Sequence, residues 1–110
     1  MTELKQEQFQ DIMLSVFNSI KSEYGVNWKW NKPSINANFA EFTGNIYTPV
    51  TKMVTIKVWH ENQYIQVRVI ESGPSATKIK TFPNKFLVQD LIANKIAKWI
   101  KGRIEYILLH

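Results

Sequence analysis

The stretch TIKVWHENQYIQVRVI, residues 55–70, decides how the chain is read. With Val54 before it, Ile56 and Val58 mark every second position as aliphatic, and Ile65, Val67 and Val69 do the same beyond a polar interruption. Period two is the strand period, and two such runs around a short polar segment predict a hairpin. A turn around Glu61–Asn62, of two or four residues, sets Trp59 opposite Tyr64 and keeps the six aliphatic side chains on one face. The pairs expected on the opposite face are then Met53–Ile70, Thr55–Arg68, Lys57–Gln66 and Trp59–Tyr64.

Working outward, Phe9, Ile12, Met13, Val16, Phe17, Ile20 and Tyr24 recur at the 3.6-residue period. Thr2 suits a cap and Gly25 a stop, so the spacing predicts a helix over about residues 3 to 24. Val26, Trp28 and Trp30 alternate with polar residues as a strand does, and the alternation leaves open whether the two tryptophans face core or solvent. INANFAEF, residues 35–42, alternates again, with Ile35, Ala37 and Phe39 on one side; residues 43 to 51 read as a loop, with a short extended piece at Ile46–Tyr47 as the alternative. ATKIKTF, residues 76–82, predicts a strand with Lys78, Lys80 and Phe82 on one side, ended by Pro83.

Asn84 then suits the cap of a second helix carrying Val88, Leu91, Ile92, Ile96, Trp99 and Ile100. Lys98, Lys101 and Gly102 resemble its C-terminus. Continued unbroken, that helix would bring Arg103 into its apolar stripe. A break is therefore expected, with residues 103–109 as a last short strand or, as the alternative, a continuing helix.

The expected fold is α+β: a two-layer sandwich, residues 1–110 as one domain, with an antiparallel sheet of four to five strands. An N-terminal and a C-terminal helix cover its Val/Ile face. The 110 residues and 45% apolar content suit an unaided core. Neither a basic-then-apolar start nor an apolar run longer than YILL, residues 106–109, is present, so a soluble cytoplasmic protein without a membrane contact is expected.

Chemistry is sparse. With no cysteine and only His60 and His110, no ligand spacing for a metal appears, and isolated glycines at 25, 44, 73 and 102 build no phosphate loop. Ser72 and Ser75 lie in a turn without a nucleophile-elbow pattern. His60 and Glu61 form the one candidate proton-transfer pair, and a merely polar hairpin turn is the more ordinary reading. No enzyme, cofactor or metal is expected.

The net charge is +5, and twelve of the fourteen basic residues are lysines, which favours anionic partners. The candidate surface is the outer hairpin face with Lys57, Trp59, Tyr64, Gln66 and Arg68, extended by Lys78 and Lys80 if that strand turns its lysines outward. Lys95, Lys98 and Lys101 form a second basic group on the last helix. A wet sheet face with these residue types is common and needs no ligand. Against it stands a binding module for a protein partner, within a nucleic-acid-processing assembly. Next comes direct binding of single-stranded nucleic acid by aromatic stacking and lysine–phosphate contacts. Third is a homodimer using Ile107, Leu108 and Leu109 or an open sheet edge. The small size and Lys/Asn/Ile-rich composition would suit an accessory protein of a phage or mobile element.

Overall fold

A computed structural model describes residues 6–25, 28–46, 52–72, 79–88 and 92–109. The elements run α1 (Gln6–Glu23), β1 (Trp28–Trp30), β2 (Ser34–Ile35), β3 (Phe39–Ile46), β4 (Lys52–Glu61), β5 (Tyr64–Ser72), β6 (Ile79–Leu87) and α2 (Ile92–Leu109). The fold is α+β, with both helices on one face of an antiparallel sheet ordered β1-β3-β4-β5-β6. The short β2 pairs with β3 further along the side that β1 occupies.

The alternation that predicts the hairpin also builds the core. Val54, Ile56 and Val58 of β4 and Ile65, Val67 and Val69 of β5 are fully buried, beneath Phe9, Met13, Val16, Phe17 and Ile20 of α1 and Ile92, Ile96, Ile100, Ile104 and Ile107 of α2. The pairing register is two residues away from the expected one: Trp59 faces Gln66, Lys57 faces Arg68, Thr55 faces Ile70, Met53 faces Ser72 and Glu61 faces Tyr64. The turn is the two-residue loop Asn62–Gln63, with Asn62 at φ 57°, a left-handed conformation that asparagine tolerates better than most residues. A two-residue shift preserves which face each side chain takes, so burial alone does not distinguish the two registers.

Several boundaries differ from expectation, each for a physical reason. Ile35 and Phe39 belong to two strands joined by a tight turn, closed by Asn36 N donating to Phe39 O at 2.7 Å. Ile35 therefore sits on the helix side with Ala40, while Phe39 sits on the outer side with Trp59. Thr43–Ile46, expected as loop, continue β3 and pair with β4. Residues 47–51 and 73–78, with the expected turn serines partly among them, lie outside the described residues, as do residues 1–5, 26–27, 89–91 and 110.

Pro83 does not end its strand, and Asn84 is a strand residue and caps no helix. Val88 N donates to Gln63 O at 2.9 Å, which fixes the phase of the β5–β6 ladder. Even-numbered β6 residues bond to β5, and Pro83 turns its donorless nitrogen to the open edge.

α2 likewise runs through Gly102 and Arg103 to Leu109, so residues 103–109 are helix and not strand. A helical glycine costs about 1 kcal/mol relative to alanine, whereas each large apolar side chain buried by the helix returns about 1.5–3 kcal/mol. Burial of Ile104 and Ile107 beyond the glycine outweighs it. Arg103 is accommodated by aromatic rings: its guanidinium carbon lies 5.7 Å from the Phe82 ring and 5.6 Å from the Tyr106 ring. Lys52 closes the end of α2 by donating from Nζ to Ile107 O at 3.1 Å, while pairing with Glu71 at 3.2 Å.

Trp28 and Trp30 face the helix side. Their rings stack at 5.4 Å and 9° over Gly44, and Trp30 meets the Phe17 ring edge-on. A Cβ at Gly44 would lie 2.9 Å from the Trp30 ring, whereas one at Gly102 would meet nothing within 4 Å. The two glycines therefore respond oppositely to alanine. In urea titrations Gly44→Ala should lower stability by about 1–3 kcal/mol, and Gly102→Ala should raise it by about 0.5–1 kcal/mol.

Candidate binding face

The face of the sheet turned away from the helices follows directly from the pleat. β3 contributes Phe39, Glu41, Thr43 and Asn45; β4 contributes Met53, Thr55, Lys57, Trp59 and Glu61. β5 adds Tyr64, Gln66, Arg68, Ile70 and Ser72, and β6 adds Ile79, Thr81, Pro83, Lys85 and Leu87. None of these residues is buried.

The register places them in rows. Phe39, Trp59, Gln66 and Lys85 form one row across four strands; Glu41, Lys57, Arg68 and Pro83 form the next. Toward the hairpin end the face is aromatic and cationic. The Arg68 guanidinium lies over Trp59, 4.9 Å from the ring centre, and Lys85 Nζ lies 4.0 Å above Tyr64. Each cation sits over a ring's negative face. Glu61 is engaged locally, accepting from Gln66 Nε2 at 2.8 Å. Toward the other end the face is apolar and hydroxylic, with Met53, Ile70 and Ile79 among Thr43, Thr55 and Thr81.

Lys57, Trp59, Tyr64, Gln66 and Arg68 are thus brought together, although by other pairings than expected. Lys80 is not with them. It lies in register with Glu71 on the helix side of β6, and Lys78 is outside the described residues. Lys80 fails to join because Lys80 and Phe82 share a side, and Phe82 is drawn inward against Tyr106. Lys85 takes the outward role instead. Reading Pro83 as an edge residue and continuing the alternation through Ile79, Thr81, Pro83, Lys85 and Leu87 would have identified it.

His60 and Glu61 occupy opposite faces, as consecutive strand residues must. His60 turns inward and stacks on Phe9 at 6.2 Å, while Glu61 turns outward. They do not form a proton-transfer pair. Among the described residues no group of three or more His, Asp or Glu side chains is placed to hold a metal ion, and no helix is long and apolar enough to cross a membrane.

The second basic group belongs to the helical layer. Lys95 and Lys98 are exposed, whereas Lys101 is half-buried and paired with Glu23 at 3.3 Å. These lysines lie on the opposite layer from the outer sheet face and cannot extend it. Lys98 and Lys101 border an open cleft of about 320 Å³ between α1 and α2, together with Ser19, Tyr24, Asn94 and Glu105. There the Tyr24 hydroxyl donates to Glu105 Oε1 at 2.5 Å, and Lys101 bridges the helices through Glu23. The contacts tie α1 to α2 at this end of the molecule.

No protein-family model matches the chain, and neither a curated protein nor a solved structure matches it.

Burial, then the hydrogen bond to Glu105, then the charges of Glu105 and Glu23 all oppose phenolate formation at Tyr24, so its pKa is pushed well above the ordinary 10.0. In the unfolded chain the phenol ionises near its ordinary value while the folded protein keeps it protonated. The corresponding stability is complete below pH 10.0 and declines as pH rises above it. Tyr24→Phe should flatten this alkaline decline, read as the melting temperature across the alkaline range.

Proposed function

We propose that this protein is a non-catalytic module that docks a protein partner on the outer face of its sheet. One observation carries the reading. Among the described residues Met53, Ile79 and Leu87 are 41%, 62% and 50% exposed, and all three lie on the face that also holds Phe39, Trp59 and Tyr64. A sheet face that merely meets water is served by threonine, lysine and glutamine; here Met53 and Ile79 lie at one end of the face and Leu87 at the other, beside Tyr64 and Lys85, so that large apolar groups flank the aromatic and cationic rows, a composition that suits an interface. Pairing along the β6 edge is an unfavourable alternative, because Pro83 interrupts the donors in the middle of that edge.

A second reading is single-stranded nucleic acid on the same face, favoured by three outward aromatic rings beside Lys57, Arg68 and Lys85. It is the weaker reading because Arg68 and Lys85 already occupy ring faces that bases would need. A second copy of the chain as the occupant would appear as a doubled mass in solution.

Photo-crosslinking separates these readings. A benzoylphenylalanine is introduced at Ile79 or Leu87 on the outer face, or at exposed Ser15 on α1 as control, and irradiated in an extract of the source cells. The docking reading expects one discrete protein adduct from positions 79 and 87 that position 15 lacks. Equal adducts from all three positions, nucleic-acid adducts only, or none would overturn it.

A further inference from the structure

The outer face holds an unneutralised cluster of cations. Lys57 and Arg68 are direct cross-strand partners, and Lys85 is the diagonal neighbour of Arg68, whose own partner is Pro83. Like charges directly opposite one another oppose pairing of the strands. Among the described residues none of the three makes an ion pair, although Glu41 sits opposite Lys57. The other acid of this face, Glu61, is held by Gln66. Meanwhile Arg68 is laid over Trp59 and Lys85 over Tyr64, so two of the three cations are already positioned by ring contacts. Glu41 offsets Lys57 in part, whereas Arg68 and Lys85 have no acid opposite them, and an incoming anion would relieve the repulsion between Lys57 and Arg68.

We infer that Lys57, Arg68 and Lys85 form a preorganised seat for the carboxylates of an acidic, extended segment of the protein partner. This rests on the docking reading and specifies its chemistry. The planar guanidinium over Trp59 keeps its outer N–H edge for a carboxylate, and ring contacts that restrain the side chains beforehand lower the cost of ordering them on binding. Carboxylates need only those donors, whereas stacked bases would have to displace the cations from the rings. The apolar end of the face, Met53, Ile70 and Ile79, accepts apolar side chains next to the acids, which a nucleic-acid strand lacks. Pro83 interrupts the donors along the β6 edge, which disfavours adding the segment there as a further strand and favours the face itself.

The test uses the whole ¹⁵N-labelled protein with two probes, a glutamate-rich peptide containing leucines and an oligothymidylate of matched charge. The peptide should shift the Trp59 indole N–H and the backbone amides around Lys57, Gln66 and Arg68, with affinity falling as salt rises. Arg68→Gln and Lys57→Gln should each weaken it roughly tenfold, whereas Lys98→Gln on the helical layer should leave it unchanged. The inference is overturned if the peptide shifts nothing on this face, if Lys98→Gln weakens binding as much as Arg68→Gln, or if the oligothymidylate binds tighter. The crosslinking at positions 79 and 87 distinguishes the two failures. A protein adduct there without peptide binding removes the acidic seat and leaves docking standing, while absence of both removes docking as well.

Discussion

Everything in this fold depends on sealing one aliphatic face of a two-residue repeat. Val54, Ile56, Val58, Ile65, Val67 and Val69 lose all contact with water because α1 and α2 lie side by side across them. Each such side chain contributes about 1.5–3 kcal/mol, far more than any one polar contact on the other face. The outward set is therefore a consequence of the inward one. Lys57 and Arg68 face each other, despite their like charge, because their neighbours Ile56, Val58, Val67 and Val69 must face the helices.

That dependence explains how much was legible beforehand. Side-chain parity survives an error of two residues in register, so the composition of the outer hairpin face was readable although Trp59 pairs with Gln66 and not Tyr64. The helix of residues 6–23 was readable because its apolar stripe is continuous. What alternation does not reveal is which neighbour a strand has. Lys80 and Lys85 exchange roles once Phe82 and Phe86 are fixed against Tyr106 and Trp99, and that contact joins residues distant in sequence.

The remaining differences concern residues usually read as punctuation. Pro83 stops a strand only where its nitrogen would face a partner; at an edge it is tolerated. Gly102 ends a helix only if the following residues gain nothing by continuing, and Ile104 and Ile107 gain burial. Asn36–Asn38, in contrast, marked a genuine turn that the alternation of Ile35, Ala37 and Phe39 concealed. In each case tertiary context decides between two conformations that the residue itself permits.

Charge placement follows the same division into layers. On the helical side, Lys52 is paired with Glu71 and caps the end of α2, and Lys101 joins α2 to Glu23 of α1. Those cations are consumed in holding elements together. On the outer face Arg68 and Lys85 meet aromatic rings, as Arg103 does on α2, and those rings orient the cations without neutralising them. A ring quadrupole satisfies a cation only in part and leaves its full charge available to an incoming anion. The basic balance of the chain is therefore not spread evenly over its surface: the helical layer spends part of it on cohesion, and the outer sheet face keeps its share unpaired, beside the apolar groups that a partner would cover.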